Sequence, residues 1–233
     1  MKYLFLFIAA CSLMGCASQY RGDYQLVKVG EVQGRMWNDV WNNFDERPLK
    51  VFVGDSPDGS QRTIAIKIEG LVGNDYQEDF AFKKCTQKQI KQGLCDRDGF
   101  LFDGKGLRCQ LTDCYTQQKY ERLIYSLKKG IEWGDRAKKN KVKKLQKDIT
   151  DENGDYIISP FLGGIMRYYV NGDLQQDLIL PVSFPIGSLT YQNDVDIYYG
   201  LDEQKKLLKI LTVDIYDGFK KSKQANKESE LFD

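Results

Sequence analysis

Lys2 followed by an almost unbroken apolar run over residues 3–10, closed by Leu13-Met14-Gly15-Cys16, constrains this chain before any folding pattern is read. A basic start, a short apolar stretch and small residues before a cut are the parts of a secretory leader. The run is too short to cross a bilayer as a permanent helix, which takes about 20 apolar residues. A leader is removed, so residues 1–15 drop out of any core. What remains has to fold where thiols oxidise.

The Leu-x-Gly-Cys ending carries more information than the leader alone. It resembles the lipobox of bacterial lipoproteins. The resemblance implies that Cys16 is diacylglycerylated, that cleavage precedes it, and that its new amine is acylated. Acyl chains bury about 0.8 kcal/mol per methylene, so two or three make an effectively permanent anchor. Ala17 follows, and no Asp stands there; in the enterobacterial sorting pattern this implies the outer membrane. Residues 16–33, polar and punctuated by glycine, read as a lipidated tether. The implied partners are the membrane, through the anchor, and an envelope protein or glycan.

Charge and histidine content narrow the chemistry. Lys+Arg total 34 against 33 Asp+Glu, so no global field argues for nucleic acid. Histidine is absent, which excludes Ser-His-Asp and Cys-His catalysis, His-based zinc sites and imidazole proton shuttles. Two functional classes remain. One is a lipoprotein that binds or scaffolds envelope partners without catalysis. The alternative is a hydrolase of cell-wall glycans working with two carboxylates; no particular pair stands out, and no catalytic residue is assigned.

Beyond Cys11 and Cys16, the cysteines are Cys85, Cys95, Cys109 and Cys114. An even number in an exported chain reads as two disulfides. No pair has the two-residue gap of a zinc knuckle or a thioredoxin-type motif. Phe100-Leu101-Phe102 and Leu107-Arg108-Cys109 flank Asp103-Gly104-Lys105-Gly106, a hairpin pattern. If Phe102 faces Leu107, the extended ladder sets Cys95 opposite Cys114, near the separation a disulfide needs. Cys85 then bridges to Cys109. The rival is local pairing, Cys85 with Cys95 and Cys109 with Cys114.

Periodicity sketches the remainder. Met36, Val40, Trp41 and Phe44 recur at helical spacing and predict a helix over 35–46, ended before Pro48. Residues 49–53 and 63–68 alternate about the turn formers of 54–59 and predict a hairpin. Segment 83–114 reads as a disulfide-stapled insertion. Tyr120, Leu123, Ile124, Leu127 and Ile131 predict a helix over 116–132. Asn171-Gly172-Asp173 signals a second hairpin, after which Pro181 and Pro185 suggest an edge or a bulge. Leu207, Leu208, Leu211, Ile215 and Phe219 form a final helical stripe capped by Asp202, although the β-branched residues at 212–216 also suit a strand.

Two further segments invite ligands. In 136–147, Lys139, Lys143 and Lys147 fall at i, i+4, i+8 behind Val142, Leu145 and Ile149. That pattern reads as a helix with a basic back, a contact surface for phosphates or an acidic partner. Asp151, Asn153 and Asp155 resemble the first half of an EF-hand loop. Tyr156 stands where that loop needs Gly, and Leu162 where it needs a bidentate Glu, so the resemblance implies at most weak calcium binding and otherwise no cofactor.

The sequence thus predicts one α+β domain over 34–220, antiparallel hairpins with several packed helices and two disulfides, followed by a charged flexible tail at 221–233. The lipobox reading has a direct check. Cys16→Ser should leave an uncleaved, non-acylated precursor, whereas Cys11→Ser should change nothing; mass spectrometry finding an unmodified mature start elsewhere would refute it.

Overall fold

The computed structural model describes residues 26–71, 74–93, 95–96, 98–100, 112–171, 175–186 and 191–229. Its frame is one antiparallel sheet in the order β4-β3-β2-β1-β8-β7-β6-β5. The strands are β1 (Val27–Asn38), β2 (Asn43–Asp55), β3 (Gln61–Leu71), β4 (Asn74–Lys83), β5 (Leu145–Asp148), β6 (Arg167–Asn171), β7 (Gln175–Ile186) and β8 (Tyr191–Gly200). Helices α1 (Gln87–Lys91), α2 (Thr112–Lys139), α3 (Leu201–Lys209) and α4 (Ile215–Ser229) complete it, the last two fused through a π-helical turn, Ile210–Asp214.

The sheet follows from period-two alternation. Leu49, Val51 and Val53 on β2, Ile64, Ile66 and Ile68 on β3, and Phe80 and Phe82 on β4 all point to one face and are buried. Leu178 and Leu180 on β7 and Ile197 and Tyr199 on β8 continue that face. Each such side chain contributes about 1.5–3 kcal/mol on burial. The covering layer is helical: Tyr120, Leu123 and Leu127 from α2, then Leu207, Leu211, Ile215 and Phe219 from the C-terminal helices. Helix α2 touches β4 at one edge of the sheet and β6 and β7 toward the other. One helix reaches both only because the sheet curls around it, into a half-barrel.

This overturns the expected α+β arrangement of hairpins packed with several separate helices. The hairpins are not independent units; they join edge to edge into one sheet, and the few helices line its hollow. The 49–53/63–68 hairpin forms with Leu49 opposite Ile68 and Val53 opposite Ile64. The Asn171-Gly172-Asp173 hairpin forms with Asn171 opposite Gln175. Pro181 and Pro185 fall where β7 outruns β6. Ser183 N donates to Phe161 O there, so proline nitrogens of the same parity face away from the β8 ladder, where no donor is needed.

Three local expectations change. Residues 35–46 are two strands and a turn: Trp37 pairs with Phe44 across β1 and β2, their rings 5.1 Å apart edge to face. Asn42 takes φ 51°, and Asn38 Oδ1 accepts from the Val40 and Trp41 amides. The apolar spacing that mimicked one helix belongs to both arms of this hairpin. The second failure is the basic helix over 136–147. Helix α2 stops at Lys139, Lys141 turns at φ 52°, and β5 begins at Leu145. Third, the charged tail is helical as far as Ser229, because Ser222 and Asn226 anchor it. The strand alternative for 212–216 gives way to the π-helical turn, which keeps Leu211 and Ile215 buried on one side.

The cysteine register is also corrected. Cys85 joins Cys95, not Cys109, and among the described residues this is the one disulfide, where two were expected. Cys114 lies in the first turn of α2 and so cannot sit in a ladder opposite Cys95. Cys109 and the 103–106 turn lie outside the described residues, as does Cys16.

Helix α4 approaches the sheet so closely that a Cβ at Gly218 would stand 2.1 Å from Val29 Cγ1 and 2.6 Å from Val53 Cγ2. In an open helix Ala is preferred over Gly by about 0.8–1.0 kcal/mol. Overpacking against stiff valines costs about 1–3 kcal/mol, and contacts this short belong at the upper end. Gly218→Ala should therefore lower the melting temperature, measured by circular dichroism, despite better helix propensity.

Candidate functional site

At one end of the sheet, the β2–β3 turn, the disulfide-bounded segment and α4 enclose a cavity of about 540 Å³. Its organising residue is Arg62. Asp55 and Arg62 are the last opposed pair of β2 and β3, so their side chains meet on one face. Arg62 Nε donates to Asp55 Oδ1 at 3.0 Å and Nη2 to Asp55 Oδ2 at 3.4 Å. Nη1 donates to Asp98 Oδ2 at 3.0 Å and lies 3.7 Å from Asp96 Oδ2. The guanidinium is also sandwiched, 4.1 Å from the Phe100 ring centroid and 3.8 Å from that of Phe219. Arg62 is only 5% exposed. A cation removed from water this fully requires that set of partners.

Local chemistry explains the walls. In the turn, Gly59 adopts φ 66° and Asp58 Oδ1 accepts from the Ser56 hydroxyl, the Ser60 amide and the Ser60 hydroxyl. The Ser56 bond foremost, then the Ser60 bonds, hold the Asp58 carboxyl down to about 2, so it stays charged near neutrality. The second wall is the clip. The Cys85–Cys95 bond closes a loop around α1, which Thr86 and Gln89 start with a capping box. Cys85 N donates to Gly99 O, and Asp96 Oδ1 accepts from the Asp98 and Phe100 amides. These bonds aim Asp96, Asp98 and Phe100 at Arg62.

Helix α4 forms the third wall. Ser222 Oγ accepts from Asp55 N at 3.2 Å, and Asn226 Nδ2 donates to Asp55 O at 2.8 Å. The end of β2 is thus bound to the helix, and Lys220, Lys223 and Lys227 at i, i+3, i+7 are held along the cavity. With Lys84 and Arg62 they make five cations against three lining carboxylates, Asp55, Asp58 and Asp98. Two of those carboxylates are engaged by Arg62. Among the described residues, no carboxylate lies within ion-pair reach of Lys84, Lys223 or Lys227.

Of the residues singled out from sequence, Cys85 and Cys95 bound the cavity's clip, whereas the lysines and the acidic turn lie elsewhere. Lys139 ends α2, Lys143 is in the connection, and Lys147 is on β5 with its ammonium 4.6 Å from the Trp133 ring centroid. They share no face. Asp151 Oδ1 accepts from the Asn153 and Asp155 amides, closing a turn bridged by Thr150 and Tyr156. Among the described residues, no group of three or more His, Cys, Asp or Glu side chains gathers as a metal site. The cavity residues were missed because each is ordinary alone; the legible signals were an Asp–Arg pair closing a turn and lysines at helical spacing.

A second buried carboxylate lies outside the cavity. Asp177 is 3% exposed and accepts from Arg35 Nη2 at 2.7 Å. Burial raises its pKa more than Arg35 lowers it.

No family model, curated protein or solved structure matches this chain.

The Arg62 network makes asymmetric demands. Arg62→Ala leaves Asp55 and Asp96 buried beside no cation and should cost about 3–5 kcal/mol in urea unfolding. Asp98→Asn alters a partner 36% exposed at its side chain and should cost under about 1 kcal/mol.

Proposed function

We propose that this protein is a non-enzymatic binding lipoprotein of the bacterial envelope, anchored through Cys16 and taking its ligand in the Arg62 cavity. One observation carries the reading: Arg62 engages Asp55 and Asp98 in ion pairs, while Lys84, Lys223 and Lys227 line the same cavity with no carboxylate in ion-pair reach among the described residues. Glycoside hydrolysis by two carboxylates requires one carboxyl kept protonated near neutrality. Asp58 is held at about 2, and Asp55 and Asp98 are ion-paired to Arg62. The carboxyl with a raised pKa, Asp177, is buried at another place on the sheet against Arg35. Lys84, Lys223 and Lys227, by contrast, have no carboxylate within ion-pair reach among the described residues, as a binding surface requires.

The anchor reading rests on Leu13-Met14-Gly15-Cys16 and the absence of histidine fits a non-catalytic role. The oxidised Cys85–Cys95 clip suits an exported chain. In this arrangement the half-barrel is a rigid frame. Its turn, clip and C-terminal helix carry the specificity, as loops on a scaffold commonly do.

Incubation of the full chain with purified cell-wall glycan decides against the hydrolytic alternative. The expected outcome is no release of reducing ends above buffer. Release that Asp98→Asn or Asp55→Asn abolishes would make the cavity an active site and overturn the proposal.

A further inference from the structure

We infer that the Arg62 cavity takes an anionic ligand bearing a phosphate group, its charge held by Lys84, Lys223 and Lys227. The inference rests on the binding reading above and deepens it to a ligand class. The first ground is the charge balance. Arg62 is consumed by Asp55, Asp96 and Asp98, so it shapes the floor and is not a ligand contact. One guanidinium offsets only one carboxylate, so the described lining holds Lys84, Lys220, Lys223, Lys227 and Arg62 against Asp55, Asp58 and Asp98, a surplus of two that falls to one when Asp96 beside Arg62 is counted. Lys220 is only loosely paired to Asp217, both side chains 76% exposed. The uncommitted charge is positive.

The second ground is positioning. Lysine ammonium groups on a free helix would sample solvent, but the last turns of α4 are pinned to the end of β2 by Ser222 and Asn226. Lys223 and Lys227 flank Asn226 and therefore overlook the cavity from a fixed backbone. Lys84 lines the same cavity from just beyond the end of β4, its own backbone held by Ser60 O and by the bridge to Phe100. Cations converging from two walls on one space fit a multi-oxygen anion, to which each ammonium donates charge-assisted hydrogen bonds. Exposed Pro57 supplies apolar surface beside them, while Phe100 and Phe219 are buried against Arg62, so any non-polar portion of the ligand lies against the turn. A cavity of about 540 Å³ is of the size that encloses small organic molecules. A phosphorylated metabolite and the headgroup of an anionic phospholipid share this chemistry.

The test follows the amide resonances of Ser56, Gly59 and Asn226 in the full chain during titration with glycerol 3-phosphate. Saturable shifts are expected, with affinity falling as added salt shortens the Debye length from ~10 Å at 0.1 M to ~3 Å at 1 M. Lys223→Gln with Lys227→Gln should weaken binding roughly tenfold or more, the loss of charge-assisted contacts. Lys205→Gln, outside the cavity, should leave it unchanged. Competition by phosphatidylglycerol vesicles for the same resonances supports a lipid headgroup as the source, and binding of the soluble probe alone supports a phosphorylated metabolite. Shifts insensitive to the double variant overturn the assignment of the anion to this cavity. If a neutral chito-oligosaccharide moves these resonances and phosphate does not, the anionic inference falls while the binding reading stands. If neither moves them, both fall.

Discussion

A guanidinium stripped of water is among the most expensive groups a small fold can contain, and Arg62 is tolerated only because three chain segments surround it. Asp55 comes from the neighbouring strand, Asp96, Asp98 and Phe100 from the disulfide-bounded segment, and Phe219 from the C-terminal helix. Each partner answers a different demand of the same side chain. The carboxylates satisfy its in-plane donors and its charge; the rings cover its two faces. Removing any one segment exposes a deficit that the others cannot fill. The cavity is therefore a by-product of neutralising one cation. Its walls are where they are because Arg62 holds them.

The same constraint explains the order of the fold. A half-barrel has an open hollow, and here α2 and the α3–α4 unit occupy it, with Tyr120 donating its hydroxyl hydrogen to Leu211 O and packing edge to face on Phe80 and Phe82. The helices are thus bound to one another as well as to the sheet. Strand β1 carries the join between the two halves, pairing β2 along its length and β8 only at Arg35 and Met36. Glycines at 30 and 34 let Ile210 and the Ile197 and Tyr199 side chains close on β1, which keeps the sheet continuous where its ladder is narrowest.

How much of this could be read from the residues depended on how far the deciding contacts lay along the chain. Local pairs were legible: the turn formers at 54–59 and Asn171-Gly172-Asp173 marked two hairpins, and the stripe from Leu207 to Phe219 marked the last helix. Patterns whose meaning lies in a distant neighbour were not. Met36, Val40, Trp41 and Phe44 satisfy a helical period by straddling a turn, and the true pattern emerges only when Phe44 is seen against Tyr198 of β8. Lys139, Lys143 and Lys147 satisfied another, but Lys141 breaks the helix between them. The cysteine register failed because α2 begins before Cys114, a boundary no periodicity marks. The cavity was illegible for the deepest reason: its residues come from three segments, Asp55 to Arg62, Lys84 to Phe100 and Phe219 to Lys227, that meet only in the folded chain.

That dispersal has an evolutionary corollary. Exposed strand positions of the half-barrel tolerate exchange, provided that inward and outward residues keep alternating. Asp55, Arg62, Phe100 and Phe219 have no such freedom, since a change at one leaves a buried charge or an uncovered ring at the others. They must be exchanged together or not at all. The least replaceable part of this fold is thus a small interlocked set: an acid and an arginine seven residues apart across a turn, an aromatic just beyond a short cysteine loop, and a phenylalanine in the terminal helix.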